Sequence, residues 1–352
     1  MSILPHTLRI AAWEVTRSCN LACIHCRASS DSGPYEGELD TKEGLRLLDE
    51  IALLGSPMVI LTGGEPLLRK DIYDLADYGD KKGLRMVLAT NGTLVTQQVA
   101  KKMTASGIKR ASVSIDGFDA ASHDAFRGVP GAFAGALAGI EAFRKAGMEF
   151  QINTTVTRKN LDQLQKILDL AIQLGAVAHH IFLLVPTGRG KEMADQEIAP
   201  GDYERTLDWF YEKNFNCSLQ LKATCAPHYF RIAHQRKGKQ TSANDKKTDH
   251  PLRAMSRGCM AGSSFCFISH VGQVQPCGYL EINCGRIRKE SFGEIWQRSP
   301  VFHNLRDMSL YKGKCGRCEF IRICGGCRAR AYEITGDYLS EEPYCIYEPQ
   351  NR

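Results

Sequence analysis

Residues 10–26, IAAWEVTRSCNLACIHC, set a short apolar strand directly in front of three cysteines, Cys19, Cys23 and Cys26, spaced C-x3-C-x2-C. The run IAAWEVT (10–16) reads as a strand covered on both faces. Three thiolates in the turn after it can hold three irons of a cubane cluster and leave the fourth iron open to a ligand. A structural zinc site wants four ligands, and His25, lodged between two of the cysteines, is poorly placed to be the fourth.

Further strand-like runs recur along the first half of the chain: MVILTG (58–63), LRMVLAT (84–90), ASVSID (111–116), FQINTTV (150–156) and IFLLVP (181–186). Amphipathic helices separate them. DTKEGLRLLDEIALLG offers Asp40 as N-cap, Glu43 three residues on and Gly55 as a stop; NLDQLQKILDLAIQLG offers Asn160 and Gly175 in the same roles. Six βα units in succession imply a parallel sheet wound by right-handed crossovers into a partial or full barrel, with ligand groups at the carboxyl ends of its strands.

A chain of 352 residues, 43% hydrophobic, buries a large core and has room for about two domains. It lacks any run of eighteen apolar residues, and its N-terminus lacks the features of a signal peptide, so a cytoplasmic protein off the membrane is expected. In that compartment fourteen cysteines point to metal ligation or thiol chemistry rather than disulfides. The net charge of +6 comes from scattered basic residues with no aromatic-basic pattern, which gives no ground for nucleic-acid binding.

Past residue 190 the pattern changes. APGDYERTLDWFYEKN (199–214) reads as a helix, and residues 231–258 are polar, charged and aperiodic, as in a mobile connection or lid. Nine cysteines then fall between Cys259 and Cys345, in a stretch too poor in apolar residues to fold without its metal. The expected division is a barrel over 1–195, a helical and polar connection over 196–256 and a cysteine-rich domain over 257–352. Two zinc knuckles of four thiolates each remain open on spacing alone.

The C-x3-C-x2-C run after the first strand of a (βα)6 pattern resembles the radical S-adenosylmethionine (SAM) superfamily. TGGEP (62–66) ends the second strand, where the family binds the SAM amino group, which implies Gly63, Gly64 and Glu65. Asn91 of ATNGTL, Ser114 and Asp116 of SIDG, Asn153, Arg158 and Val185 line the same pocket by resemblance, and His25 stands where members often carry an aromatic near adenine. Ser114 and Asp116 read equally as a strand end capping the next helix. The resemblance implies that an open iron chelates SAM and that reductive cleavage gives methionine and a 5'-deoxyadenosyl radical.

The later cysteines resemble the SPASM domain, which carries auxiliary clusters. That implies Cys315, Cys318, Cys324 and Cys345 for one cluster and Cys259, Cys266, Cys277 and Cys327 for the other, giving three 4Fe-4S clusters in all, or two if the last set fails. Cys324 and Cys327 are separated by two residues where members commonly have three. Cys217, Cys225 and Cys284 are left over and read as buried thiols. KATCAPHY (222–229) with VPTGRG (185–190) is similar to the porphyrin-acting branch, the haem b synthase family. That branch decarboxylates two propionates of iron-coproporphyrin III to vinyls, and a reductant such as flavodoxin or ferredoxin is implied as partner. Arg189, Lys191, Lys222 and Arg231 are candidates for substrate carboxylates, or solvated charges. His228 is a candidate iron or propionate ligand, or a structural histidine, and Tyr229 packs on a macrocycle or in the core. Enzymes acting on another tetrapyrrole or on a peptide, and a non-catalytic iron-sulfur or zinc protein, stay open.

Overall fold

The computed structural model describes residues 6–239 and 258–350. Seven parallel strands run in sequence order across one sheet: β1 (Ile10–Thr16), β2 (Met58–Gly63), β3 (Arg85–Thr90), β4 (Ala111–Ser114), β5 (Phe150–Val156), β6 (Ala178–Leu183) and β7 (Gln220–Thr224). Six are the expected ones. The sixth lies three residues earlier than IFLLVP suggested, because the polar-looking His179 and His180 find partners on β5: Thr154 Oγ1 at 2.9 Å and Gln151 Nε2 at 2.9 Å. The seventh strand falls in the stretch expected to be helical and polar connection.

The crossovers carry α1 (Thr41–Ala52), α2 (Ile72–Lys81), α3 (Gln97–Ala105), α4 (Ala120–Arg127), α5 (Ala132–Ala146) and α6 (Leu164–Leu174), followed by α7 (Pro200–Asn216) and α8 (His228–Lys239). Asp40 and Glu43 form the expected capping box on α1, whose Leu47, Leu48 and Ile51 are fully buried, each burial contributing about 1.5–3 kcal/mol. Asn160 does not cap α6. A turn of 3-10 helix intervenes, and the buried Asn160 amide donates instead to the carbonyls of Asp116 (2.9 Å) and Thr155 (2.8 Å). Of the expected lid, residues up to 239 belong to α8, and 240–257 lie outside the described residues.

The C-terminal part adds β8 (Phe265–Ile268), β9 (Gln273–Gln275), β10 (Gly285–Arg286), α9 (Phe292–Arg298), α10 (Pro300–Arg306), α11 (Gly313–Arg317) and α12 (Arg328–Thr335). Its strands do not form a separate sheet. β8 pairs parallel to β1 on the side away from β2, so the order is β10-β9-β8-β1-β2-β3-β4-β5-β6-β7. Along β4 to β7 one face is buried under the helices (Val113, Ile152, Ile181, Ala223). The other, carrying Ser112, Ser114, Asn153, Thr155, His180, Phe182, Lys222 and Thr224, keeps partial access. The barrel therefore has a hollow, polar inner face. Among the described residues no helix is long and apolar enough to cross a membrane.

Candidate active site

The loop after β1 presents Cys19 and Cys23 buried and Cys26 half-buried, each with a donor aimed at its sulfur. Leu21 N–H lies 3.4 Å from Cys19 Sγ, Ser30 N–H 3.4 Å from Cys26 Sγ, and Arg127 Nη1 3.6 Å from Cys23 Sγ. Such donors suit thiolates better than thiols. Burial, chiefly, with smaller pushes from neighbouring acidic groups, takes Cys19 up to about 11 and raises Cys23, so these two would gain their charges with a bound metal rather than before it.

Two segments distant in sequence hold this loop. Gly64 N–H donates to Thr16 O (2.9 Å) and Glu65 N–H to Ser18 O (2.8 Å). A Cβ on Gly63 would stand 2.2 Å from Thr16 O, and one on Gly64 2.3 Å from Ser18 O. These glycines thus admit the chain's own backbone at the root of the loop. The Glu65 carboxylate, fully buried, accepts from Thr90 Oγ1, Asn91 N–H and Leu67 N–H; burial nevertheless pushes it up to about 7. Asn91 Nδ2 donates to Asn20 Oδ1 at 2.8 Å, beside Cys19. From the other side comes PTGRG (186–190). A Cβ on Gly188 would meet Arg27 O at 2.2 Å, Arg189 N–H donates to Cys26 O (3.0 Å), and the Arg189 side chain donates to Cys23 O (3.0 Å) and Ser30 O (2.7 Å).

Of the other residues expected around SAM, Ser114 and Asn153 are register partners on the inner face. Asp116 is fully buried. Burial acts to raise its carboxyl, but the ion pair with Arg127 and the Thr155 N–H (2.6 Å) hold it below the usual range, and His25 Nε2 lies 3.8 Å away. His25 packs on Phe126 at 4.8 Å between ring centroids, and burial brings it down to about 4, a neutral ring. Arg158 is exposed and donates to Glu197 O at 2.8 Å. Val185 is buried against Leu280, Cys327 and Ala329.

A buried charge cluster went unread in the sequence. Glu14, on β1, receives Arg17 Nε (2.9 Å) and Arg27 Nη1 and Nη2 (3.2 Å each), and His270 Nδ1 stands 2.9 Å from its carboxylate. Against the upward push of burial, these partners hold its carboxyl at about 2. Arg27 lies 4.4 Å over the Phe267 ring and within range of Tyr279 and Cys26. A lone Glu in an apolar strand was the available signal, since a buried carboxylate needs a cation.

In the C-terminal part, one cavity is lined by Cys315, Cys318, Cys324 and Cys345, together with His228 and Arg231. Four thiols around one hollow fit a cubane. Among the described residues no three His, Cys, Asp or Glu side chains stand at single-ion spacing. Cys327 faces elsewhere, packing with Val185, Leu280, Cys277 and Cys225. Cys266 does not join them. It is fully buried on β8, in register with Ala11 of β1, within the hydrophobic core and beside Cys284.

The substrate candidates divide. Lys222 lies on the inner face, in register with His180, and burial lowers its ammonium. Arg189 is spent on the cysteine loop, as described, and Lys191 is exposed, 3.5 Å from Glu333. Arg231 donates through Nη2 to Glu204 (2.6 and 2.7 Å) and through Nη1 to Gln235 (2.8 Å) beside the cavity of Cys315, Cys318, Cys324 and Cys345. His228 is 1% exposed, 3.5 Å from Glu342 and edge-on to Tyr203, and burial brings it down to about 4. Tyr229 packs with Phe210, Tyr211 and Phe230. His228, Tyr229 and Arg231 therefore do not face the barrel hollow.

Arg328 and Arg330, both buried, also escaped the sequence reading. Arg330 donates to Leu183 O (3.3 Å), Leu184 O (2.8 Å) and Cys225 O (3.1 Å) and pairs with Glu197 (3.4 Å), fastening α12 to the ends of β6 and β7.

Residues 13–171 match the family model described as the radical SAM superfamily, and residues 259–327 match the SPASM model, an iron-sulfur cluster-binding domain. The chain is 54% identical over 349 residues to an AdoMet-dependent heme synthase of Methanosarcina barkeri, covering 99% of each. It is 54% identical to a protein of the same name from Nitratidesulfovibrio vulgaris, covering 98% of this chain and 94% of that one. Among solved structures, Streptococcus suis SuiB bound to S-adenosylmethionine matches with a TM-score of 0.76 at 18% identity, over 97% of this chain and 78% of that one, a likeness of fold. The chain belongs to the radical SAM superfamily, with a SPASM iron-sulfur cluster-binding domain following its barrel.

Proposed function

We propose that the protein is a haem b synthase, which oxidatively decarboxylates the ring A and ring B propionates of iron-coproporphyrin III to vinyl groups. The observation that carries this is the 54% identity, over 99% of both chains, to a relative named as a heme synthase. Cys19, Cys23 and Cys26 would hold a 4Fe-4S cluster, which with SAM would supply a radical that removes a hydrogen atom from an unactivated C–H bond. For the substrate, loss of one hydrogen atom from the propionate β-carbon, then of carbon dioxide and one electron, converts –CH2–CH2–COO⁻ to –CH=CH2. Two such rounds give both vinyls.

The chain's own part is to hold the substrate and keep water out. The cysteine loop is pinned from both sides, by the TGGEP turn and by PTGRG, so that the SAM-binding end of the barrel is rigid. Ser114, Asp116, Asn153, Glu65, Asn91, Arg158, Val185 and His25 are our assignment for the SAM pocket. Lys222 presents an ammonium on the hollow inner face, where burial favours pairing with an anion such as a propionate. Auxiliary clusters on the C-terminal cysteines provide an acceptor for the released electron. A small reductant protein such as flavodoxin or ferredoxin delivers the electron each round consumes, in the cytoplasm.

The test is anaerobic reconstitution and incubation with SAM, dithionite and iron-coproporphyrin III, followed by mass spectrometry. The reading expects haem b, with two SAM consumed per haem. Deoxyadenosine formed while the porphyrin stays unchanged overturns the haem assignment.

A further inference from the structure

We propose that Cys225 is the fourth thiolate of the auxiliary cluster formed with Cys259, Cys277 and Cys327, and that Cys266 is not a ligand. This rests on the chain binding two clusters in its C-terminal part. Cys225 stands just past β7, outside the cysteine-rich segment, where spacing gave it no partner.

The fold brings it there. Cys225, Cys277 and Cys327 pack in one cluster with Val185 and Leu280. Cys259 is a near neighbour of all three of these thiols. Cys259 is fixed by its own N–H on Cys324 O (3.0 Å) and by Gly258 N–H on Ile323 O (2.8 Å), which seats it at the turn leading into Cys327.

The backbone at Cys225 is unusual. Its φ is +57°, in the left-handed region, one of two such non-glycine residues among those described. A side chain held there against its preference is over-determined by its surroundings, and such positions gather at ligand clamps. Here the clamp is visible, since the Cys225 carbonyl receives Tyr203 Oη (2.9 Å) and Arg330 Nη1 (3.1 Å).

Cys266 fails on strand alternation. Its neighbour Phe267 faces Arg27 and Gly278, next to Cys277: the Arg27 guanidinium is 4.4 Å from the ring, and a Cβ on Gly278 would lie 3.2 Å from it. Successive side chains on a strand point to opposite faces. Cys266 therefore points away from Cys277, into the core, where its charged neighbours are Cys284 and Arg306.

Four thiolates leave no iron open, so this cluster serves electron transfer and not substrate ligation. Because Cys225 follows the last barrel strand, the cluster also stitches barrel to C-terminal domain. Gly278, next to Cys277, approaches Arg27 just past the first cysteine loop, a Cβ there lying 3.5 Å from Arg27 Cδ.

The test uses the full chain with Cys19, Cys23 and Cys26 replaced by Ala, so that only auxiliary clusters remain, reconstituted anaerobically. Iron and sulfide are counted, and the dithionite-reduced protein is examined by electron paramagnetic resonance. The parent is expected to hold about eight irons per chain. Cys225→Ala should fall to about four, or to a three-iron species, with the signal of the Cys315 group retained as proof of folding. Cys225→Ser should keep a cluster with shifted g-values, and Cys266→Ala should keep about eight irons and an unchanged signal. Cys225→Ala with full iron and the parent signal, or loss of one cluster in Cys266→Ala, overturns the proposal. A parent holding about four irons, none lost on Cys259→Ala, overturns instead the two-cluster reading on which it rests.

Discussion

Arg189 donates through Nε to the carbonyl of Cys23 at 3.0 Å, joining the end of β6 to the cysteine loop across 166 residues of chain. Through Nη1 the same guanidinium reaches Ser30 O at 2.7 Å. One planar fork thus spans the loop, and a lysine, with a single ammonium, cannot reproduce it. Each charged hydrogen bond contributes about 1.5–3 kcal/mol. Arg189→Lys and Arg189→Ala should therefore lose SAM cleavage itself by at least about tenfold, with less iron retained at the SAM cluster. A binder of substrate carboxylate would instead raise KM for the porphyrin and leave SAM cleavage intact; deoxyadenosine assays with and without porphyrin separate the two.

Gly64→Ala and Gly188→Ala should act on the same loop from its two sides. Each puts a methyl far inside van der Waals contact of a backbone carbonyl that cannot yield cheaply, at 2.3 Å from Ser18 O and 2.2 Å from Arg27 O. Iron counting should show loss of the SAM cluster's share while the auxiliary clusters' signal remains.

Glu14 couples stability to pH. Its carboxyl is held at about 2, below its ordinary 4.5, so the stabilisation is present above the ordinary value and is lost as pH falls through about 2. Glu14→Gln leaves Arg27 and Arg17 without their buried partner and should cost about 3 kcal/mol at neutral pH. Denaturant titrations from pH 6 downwards should show the gap between wild type and variant narrowing with acidity.

Arg330 should behave as a fastener between the two parts of the chain. Arg330→Met leaves the carbonyls of Leu183, Leu184 and Cys225 short of a donor and Glu197 short of a cation, at a cost of about 3–5 kcal/mol. Thermal unfolding and limited proteolysis at the barrel-domain junction should both register it, and the conservative Arg330→Lys should restore only part.

The barrel was legible because its strands are short and β-branched, the helices between them are amphipathic, and α1 opens on the expected Asp40–Glu43 capping box. β6 was misplaced by His179 and His180, which look solvated until their partners on β5 are known. At the site, spacing identified the cysteine loop and the TGGEP turn, features written in consecutive residues. It could not tell which face of β8 Cys266 occupies, nor that Cys225 comes back to the C-terminal cysteines, since both follow from strand register and packing. Arg189 was read as a free cation for the same reason, because its acceptors are backbone carbonyls, which a sequence does not display. Buried Glu14, Arg27 and Arg330 likewise gain meaning only from one another.

The central claim is that a propionate β-hydrogen is the atom removed. Iron-coproporphyrin III deuterated at the β-carbons of the ring A and B propionates, incubated anaerobically with the reconstituted protein, SAM and dithionite, tests it most directly. The account predicts one deuterium in each 5'-deoxyadenosine and two deoxyadenosines per haem b. Vinyl formation with unlabelled deoxyadenosine would contradict it.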